Sequence, residues 1–105
     1  MSENWQKQAV QFARNHNLEH DPGVYALDLM SELGEVAKEL LLASDYGRTV
    51  PKVSPNLAAE LGDVLYSLCM LATAVDVDLD SAFATTLQKY KQRWQTSHQI
   101  GSQLS

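Results

Sequence analysis

The sequence predicts an all-α fold of four helices in a single domain over residues 1–105. Apolar residues recur at helical spacing along most of the chain. Glycine and proline, which interrupt helices, number only 5 and 3. Alternation of apolar and polar residues with a period of two, the pattern of a half-buried strand, is confined to residues 75–79, where aspartates crowd it. We therefore expect a four-helix bundle without a sheet.

The first two helices are predicted in the N-terminal half of the chain. The first spans about residues 3–15 and places Trp5 and Phe12 on one face, which we expect to be core rather than a surface for stacking on a base. The second spans about residues 22–43, with Asp21 as its N-cap and a proline at its first position.

The last two helices follow a loop in the middle of the chain. The third is predicted over about residues 55–75, with Ser54 as its N-cap and again a proline at its first position. The fourth is predicted over about residues 81–97, and Asp78 or Asp80 is placed to cap it.

Composition excludes several classes of protein. A net charge of −5 disfavours a nucleic acid polymer as partner, because such binding depends on neutralising phosphates. The single cysteine, Cys69, excludes an internal disulfide and is expected to be buried. No leader is expected, because residues 5–17 are polar, and no membrane span, because the longest apolar run, 64–75, is short. We expect a cytoplasmic protein with a frayed tail at 98–105.

The second helix carries a stripe of acids. Asp28, Glu32, Glu35 and Glu39 follow one another at steps of four, three and four residues, so they share one face. The simplest interpretation is an acidic face in solvent. A solvated face normally mixes charges, however, and this stripe has no basic residue, since Lys38 lies to one side.

The third helix strengthens a functional interpretation. Glu60 and Asp63 lie in its first turns, and apolar residues occupy nearly every other side of the helix. Such a helix is expected to be buried, and a buried carboxylate without a partner is very costly. A divalent cation would compensate the charge; alternatively, the two acids favour the helix dipole and stay in water.

The two helices together offer two pairs of carboxylates, each spaced three residues apart. If the helices pack antiparallel, Glu32, Glu35, Glu60 and Asp63 can point into one pocket. Hard oxygen ligands suit Mg²⁺ or Mn²⁺, and the absence of histidine from these helices disfavours iron.

At this point the sequence resembles a known family. Residues 31–37 (SELGEVA) and 59–65 (AELGDVL) look like the ExxE…ExxD signature of the MazG-like, all-α nucleoside triphosphate pyrophosphohydrolases. The resemblance extends over about residues 20–94. His20, before Asp-Pro, is similar to a His-x-Pro element near the nucleotide in relatives, and residues 89–94 are similar to a basic stretch that closes over the phosphates.

This resemblance implies an enzyme that hydrolyses (deoxy)nucleoside triphosphates to the monophosphate and pyrophosphate, with Mg²⁺ or Mn²⁺ as cofactor, in nucleotide-pool house-cleaning. Glu32 or Glu35 would accept the proton of the attacking water, and Glu39 would either join the metal cluster or be exposed. The implied metal ligands are Glu32, Glu35, Glu60 and Asp63. The implied substrate-binding residues are His20, Lys89, Lys91 and Arg93, although the last three could equally form a solvated basic face.

The third helix also predicts self-association, because three other short helices of one chain cannot cover all of its apolar residues. We expect a homodimer or a homotetramer built as a dimer of dimers. Two other functions stay open from the residues alone. One is a non-catalytic helical module for metal binding or oligomerisation, and the other is a structural bundle with an acidic surface, which Mg²⁺ would not stabilise.

Overall fold

A computed structural model describes residues 4–98 of the chain. Over this range the backbone forms four α-helices and no β-strand, which confirms the predicted all-α fold. The helices are α1 (Trp5–Asn15), α2 (Pro22–Ala43), α3 (Pro55–Ala74) and α4 (Leu79–Ser97). The bounds of α2 agree with the prediction, whereas α3 ends one residue earlier and α4 begins two residues earlier than expected. The predicted helix start at residue 3 and residues 99–105 of the predicted tail lie outside the described residues.

The helix starts follow the predicted cap positions, with one chemical difference. Asp21 and Ser54 both have the extended backbone of an N-cap, but neither side chain makes a capping hydrogen bond. Proline at the first helical position reduces the need for a cap, because it has no N–H to satisfy. Asp78 does cap α4, since its carboxylate accepts a hydrogen bond from the Asp80 backbone N–H at 3.1 Å.

The central pair of the fold is α2 and α3, which pack along each other, while α1 packs on α3. The loop between α2 and α3 folds back, so that the Lys52 N–H donates to the carbonyl of Ala43 at 3.4 Å. The start of α3 therefore lies beside the end of α2, and the two helices are antiparallel, which is the condition that the predicted carboxylate pocket needs. The core is small, with Ala13, Tyr25 and Met70 buried at its centre.

Tyr25 fixes the loop between α1 and α2. Its side chain is buried, and its hydroxyl donates to the Leu18 carbonyl at 3.0 Å and accepts from the His20 N–H at 2.9 Å. The His20 ring lies edge-on to the Tyr25 ring, with centroids 5.8 Å apart. One buried phenol thus determines where the loop that carries His20 is held.

The predicted core face of α1 is wrong for its two aromatic residues in the single chain. Trp5 is 68% exposed and Phe12 is 49% exposed, although the Phe12 ring meets the edge of the Tyr66 ring at 6.3 Å. Ala9 and Ala13, which share that face by helical spacing, do belong to the core, and Ala13 is fully buried. Cys69 is buried as predicted, and burial raises the pKa of its thiol.

Gln6 of α1 holds the start of α4. Its amide nitrogen donates to Thr73 Oγ1 at 3.0 Å and to the Val77 carbonyl at 2.8 Å, and its amide oxygen accepts from the Leu79 N–H at 2.8 Å. Beyond this anchor, α4 does not pack closely along any other helix within residues 4–98.

The position of α4 makes the chain extended. The radius of gyration is 16.8 Å, whereas a compact chain of this length would have about 13 Å. Phe83, Leu87, Tyr90 and Trp94 recur at steps of four, three and four residues, so they form one stripe along α4, here called the α4 apolar stripe. Within a single chain Phe83 is 62% exposed, Leu87 41% and Trp94 55%.

One helix has the dimensions of a membrane span, contrary to the sequence expectation. By length and composition alone, α3 could cross a bilayer, because it has 20 residues and an 18-residue window of it has a mean hydropathy of 1.4. The sequence expectation counted only the apolar run 64–75, whereas the helix also includes residues 55–63, with Glu60 and Asp63 among them. A core helix passes the same test, and α3 contacts both α1 and α2. A cytoplasmic location without a membrane partner stays a prediction.

Candidate metal and active site

The antiparallel pairing of α2 and α3 brings the predicted carboxylates towards one another. Glu32 on α2 lies within electrostatic range of Asp63 on α3, and Glu60 on α3 within range of Glu35 and Glu32. Residues three or four apart on a helix share a face, so each helix presents its acids to the other as a short row. The structure therefore places the four residues of the two sequence motifs on facing sides of the α2–α3 pair.

Glu60 has a carboxylate oxygen that is covered by the protein. Its side chain is half-buried, and its Oε1 atom has less than 1 Å² exposed and no hydrogen-bond partner among the described residues. A hydrogen bond with the Glu39 carboxyl, desolvation and the neighbouring carboxylates together raise the pKa of Glu60 to about 7. Without a counter-charge, Glu60 is thus held partly protonated near neutral pH.

Glu39 lies opposite Glu60 and has a second partner. The Ser54 hydroxyl donates to Glu39 Oε1 at 2.8 Å. The hydrogen bonds with Glu60 and with Ser54 lower the pKa of Glu39, so the charge of the pair resides on Glu39 while Glu60 keeps the proton. The Ser54 hydroxyl, expected to cap α3, instead links α3 to α2 through this carboxylate.

Glu32 also has a raised pKa. Desolvation is the largest cause, followed by the charges of Asp63, Asp28 and Glu35. Glu32 is half-buried, whereas Glu35, Asp63 and Asp28 are exposed. The acid stripe of α2 is therefore not a uniformly solvated face, because Glu32 and Glu39, which point towards α3, are withdrawn from water.

An open cleft of about 390 Å³ lies between the end of α2 and the start of α3. We call it the acidic cleft; it is lined by Glu35, Lys38, Glu39, Leu42, Asn56, Ala59 and Glu60. Glu32 and Asp63 lie about one helical turn beyond it, three residues from Glu35 and Glu60 respectively. The cleft thus combines carboxylates with a single ammonium group, that of Lys38.

Lys38 and Asn56 were not predicted as site residues. The sequence placed Lys38 to one side of the acid stripe, and Asn56 follows a helix-starting proline without any motif. Glu39 had a detectable signal, because it lies seven residues, or two turns, after Glu32 on the same stripe. For its partner Ser54, the sequence indicated only an N-cap of α3 and no role in the site.

The other predicted substrate-binding residues lie away from the acidic cleft within one chain. His20 is in the loop between α1 and α2, where its backbone contacts Tyr25. Lys89, Lys91 and Arg93 are on α4, which does not pack along α2 or α3 in the described part of the chain. Their roles as substrate-binding residues stay predictions.

The donor set suits a hard divalent cation. All the acids named above offer oxygen ligands, which Mg²⁺ and Mn²⁺ prefer, and the covered Glu60 Oε1 has no other partner among residues 4–98. Over the same range no three acidic, histidine or cysteine side chains are already grouped closely enough to hold an ion. The residues therefore fit a cation by the chemistry of their donor atoms and by the unpartnered Glu60 Oε1 atom, although over residues 4–98 the side chains do not form a closed set of ligands.

These features define a class of protein: an all-α domain that presents paired carboxylates from two antiparallel helices. The sequence profile of the MazG nucleotide pyrophosphohydrolase domain matches residues 21–98. Since this match covers most of the chain, including all four helix-borne signature acids, the chain belongs to the MazG nucleotide pyrophosphohydrolase family.

Two further similarities agree with this assignment. The chain is 34% identical over 73 residues to the uncharacterized protein YpjD of Bacillus subtilis (strain 168), a match that covers 63% of this chain and 64% of YpjD. A crystal structure of the Bacillus-conserved MazG protein, a nucleotide pyrophosphohydrolase, superimposes with a TM-score of 0.67 at 24% identity. That superposition covers 86% of this chain and 93% of the other, and it confirms the four-helix MazG-like fold.

Proposed function

We propose that the protein hydrolyses (deoxy)nucleoside triphosphates to the nucleoside monophosphate and pyrophosphate in a reaction that requires Mg²⁺, or Mn²⁺ in its place. The observation that carries the proposal is the convergence of the signature acids on facing sides of α2 and α3, with the Glu60 Oε1 atom covered and unpartnered. Family membership supports the same reaction class. Removal of damaged or surplus nucleotides from the cellular pool is the role that this reaction would serve.

The cation would be held by Glu32, Glu35, Glu60 and Asp63. When bound, it would neutralise phosphate charge and lower the pKa of a water molecule. Phosphoryl transfer depends mainly on positioning and on charge neutralisation, so the protein needs few covalent functions of its own. The four carboxylates supply the negative charge that keeps such an ion in place.

The proton of the attacking water needs an acceptor from the chain. Glu32 and Glu35 are the candidates, as the family resemblance implies. Desolvation and the neighbouring acids raise the pKa of Glu32, which makes it a better base near neutral pH. Glu35 lines the acidic cleft and is exposed, so it can approach a substrate directly.

Positive charge for the phosphates has two sources in this proposal. Lys38 lines the acidic cleft and can contact a phosphate within the same chain. Lys89, Lys91 and Arg93 would come from α4 of a second chain, and His20 would contact the nucleotide near the start of α2. A shared site of this kind requires an oligomer.

The α4 apolar stripe supports that oligomer. Exposed side chains at helical spacing on a helix with few contacts in its own chain are the pattern of a helix that packs against a partner. The small core of the single chain agrees with this, because so few buried residues stabilise a domain poorly. We propose a homodimer or a dimer of dimers in which α4 packs on the neighbouring chain.

The direct test is pyrophosphate release from a panel of nucleoside triphosphates with Mg²⁺, and again with excess EDTA. Turnover that disappears with EDTA supports the proposal. The alternative, a non-catalytic helical module that binds metal or mediates oligomerisation, predicts no turnover with any nucleotide. Full activity in EDTA would refute the cation requirement and leave a different mechanism.

A further inference from the structure

Glu39 is an acid of the cleft that the ExxE…ExxD signature leaves out. It follows Glu35 by four residues on α2, is half-buried, and lines the acidic cleft together with Glu35 and Glu60. Its carboxyl lies within hydrogen-bonding reach of the Glu60 carboxyl across the two helices. Glu39 therefore lies between α2 and α3 with the other facing carboxylates, and not on the solvent-exposed side of α2.

Ser54 fixes the orientation of Glu39. A serine at an N-cap usually accepts a hydrogen bond from the backbone of the first helical turn. Ser54 has the backbone of an N-cap, with φ −92° and ψ 161°, yet its side chain makes no such bond. Its hydroxyl instead donates to Glu39 Oε1 at 2.8 Å. A hydrogen bond to an ionised acceptor is stronger than a neutral one, so it can hold the carboxylate in one orientation.

A purely structural link between α2 and α3 would not explain the whole arrangement. Such a link needs only the contact between Ser54 and Glu39, together with the hydrogen bond that Glu39 makes with Glu60. Neither contact accounts for Glu60 Oε1, which is covered and has no partner among the described residues. A cation between the two acids would supply that missing partner.

We propose that Glu39 is a fifth carboxylate of the cation site and that Ser54 is a positioning residue that acts through Glu39. The inference rests on the proposed function, because it assumes that a divalent cation binds between α2 and α3. Glu39 would add a metal-binding carboxylate from the last turns of α2, on the side of Glu60 away from Asp63. The bound ion would be a hard divalent cation, and its binding would not need a nucleotide.

The test is Mn²⁺ binding to the nucleotide-free protein, measured by isothermal titration calorimetry or by electron paramagnetic resonance of free Mn²⁺. Glu39→Gln keeps the size and helix propensity of the residue but removes its charge. Loss of a residue that hydrogen-bonds a metal ligand typically weakens metal binding by about 10–100-fold. We expect about 10-fold weaker binding for Ser54→Ala, at the lower end of this range, and about 100-fold or more for Glu39→Gln, which removes the ligand's charge. Ser54→Thr, which keeps the hydroxyl, should restore binding.

Asp28→Asn is the matched control, because Asp28 lies on the same stripe of α2, is exposed and does not line the cleft. Its Mn²⁺ affinity should match the wild type. Circular dichroism of each variant checks that the helices persist. Glu39→Asp keeps the charge with a shorter reach and should also weaken binding, which provides a second variant if Glu39→Gln does not fold.

The outcomes separate this inference from the proposed function. If the wild-type protein binds no Mn²⁺, the cation site and the role of Glu39 are both overturned. If the wild type binds and Glu39→Gln binds equally well, only the role of Glu39 is overturned. Equal losses in Glu39→Gln and Asp28→Asn would also overturn it, since they would reflect general acidic charge. An unchanged affinity in Ser54→Ala would refute the positioning role of Ser54.

Discussion

Substitution of Phe83 in the α4 apolar stripe tests whether α4 packs on a second chain. Phe83 is 62% exposed in the single chain, and an aromatic side chain buries 150–250 Å² in a core. The surface available for burial by a partner is therefore roughly 120 Å², which at about 25 cal/mol per Å² corresponds to about 3 kcal/mol per chain. Phe83→Ala retains only the Cβ atom, so it should remove most of this contribution.

In a two-fold dimer the substitution occurs twice. The expected loss is about 5 kcal/mol for the dimer, which weakens association by roughly 10³- to 10⁴-fold. Sedimentation equilibrium over a range of concentrations measures the dissociation constant. Val50→Ala is the control, because Val50 is exposed in the loop between α2 and α3 and not on α4. It should leave association unchanged.

Two results would refute this reasoning. A wild-type protein that sediments as a stable, active monomer of 11.7 kDa would show that the stripe needs no partner. A Phe83→Ala variant with the dissociation constant of the wild type would show that the interface lies on another surface, such as the exposed face of α1.

Three further predictions concern the site between α2 and α3. Glu35→Gln and Glu60→Gln should each lose nucleotide hydrolysis, while their circular dichroism spectra stay those of the wild type. Wild-type turnover in either variant would exclude that residue from the active site. Asp28→Asn is the control and should change activity little. Because the pKa of Glu60 is raised from 4.5 to about 7, folding takes up a proton in this interval, so the metal-free wild type should lose stability as pH rises from 4.5 to about 7. Glu60→Gln should show a smaller loss, since only the raised pKa of Glu32 then contributes. Melting curves in EDTA at several pH values measure the difference, and an equal loss in the wild type and the variant would contradict the assignment. Lys38→Gln should raise KM several-fold with a smaller effect on kcat, because it removes a positive charge that we expect to contact a phosphate. Steady-state kinetics measure both parameters, and an unchanged KM would show that Lys38 contacts no phosphate.

The fold was predictable because its determinants are local. Helical periodicity, two helix-starting prolines and the scarcity of glycine indicated four helices, and the bounds of α2 agreed with the structure. The facing of the acids was also predictable, since spacings of three and four residues fix which side of a helix a side chain occupies. The antiparallel packing of α2 and α3 was only a condition of that prediction, and the structure meets it.

Other features depend on contacts that periodicity does not specify. Trp5 and Phe12 have core-like spacing, yet the chain covers neither of them fully. Nothing in the spacing of α4 indicated that it would extend away from the other helices rather than close a bundle. Likewise, Ser54 has the sequence context of a cap, and only the position of Glu39 on the neighbouring helix determines that its hydroxyl donates across the pair.

The measurement that most directly tests the central claim is product analysis of nucleoside triphosphate hydrolysis by phosphorus NMR. It would be run with the wild-type protein in Mg²⁺, with the wild type in excess EDTA, and with Glu60→Gln in Mg²⁺. We predict equimolar nucleoside monophosphate and pyrophosphate in the first sample and unreacted triphosphate in the other two. Release of inorganic phosphate with a nucleoside diphosphate, or hydrolysis that persists in EDTA or in Glu60→Gln, would contradict a cation-dependent pyrophosphohydrolase site between α2 and α3.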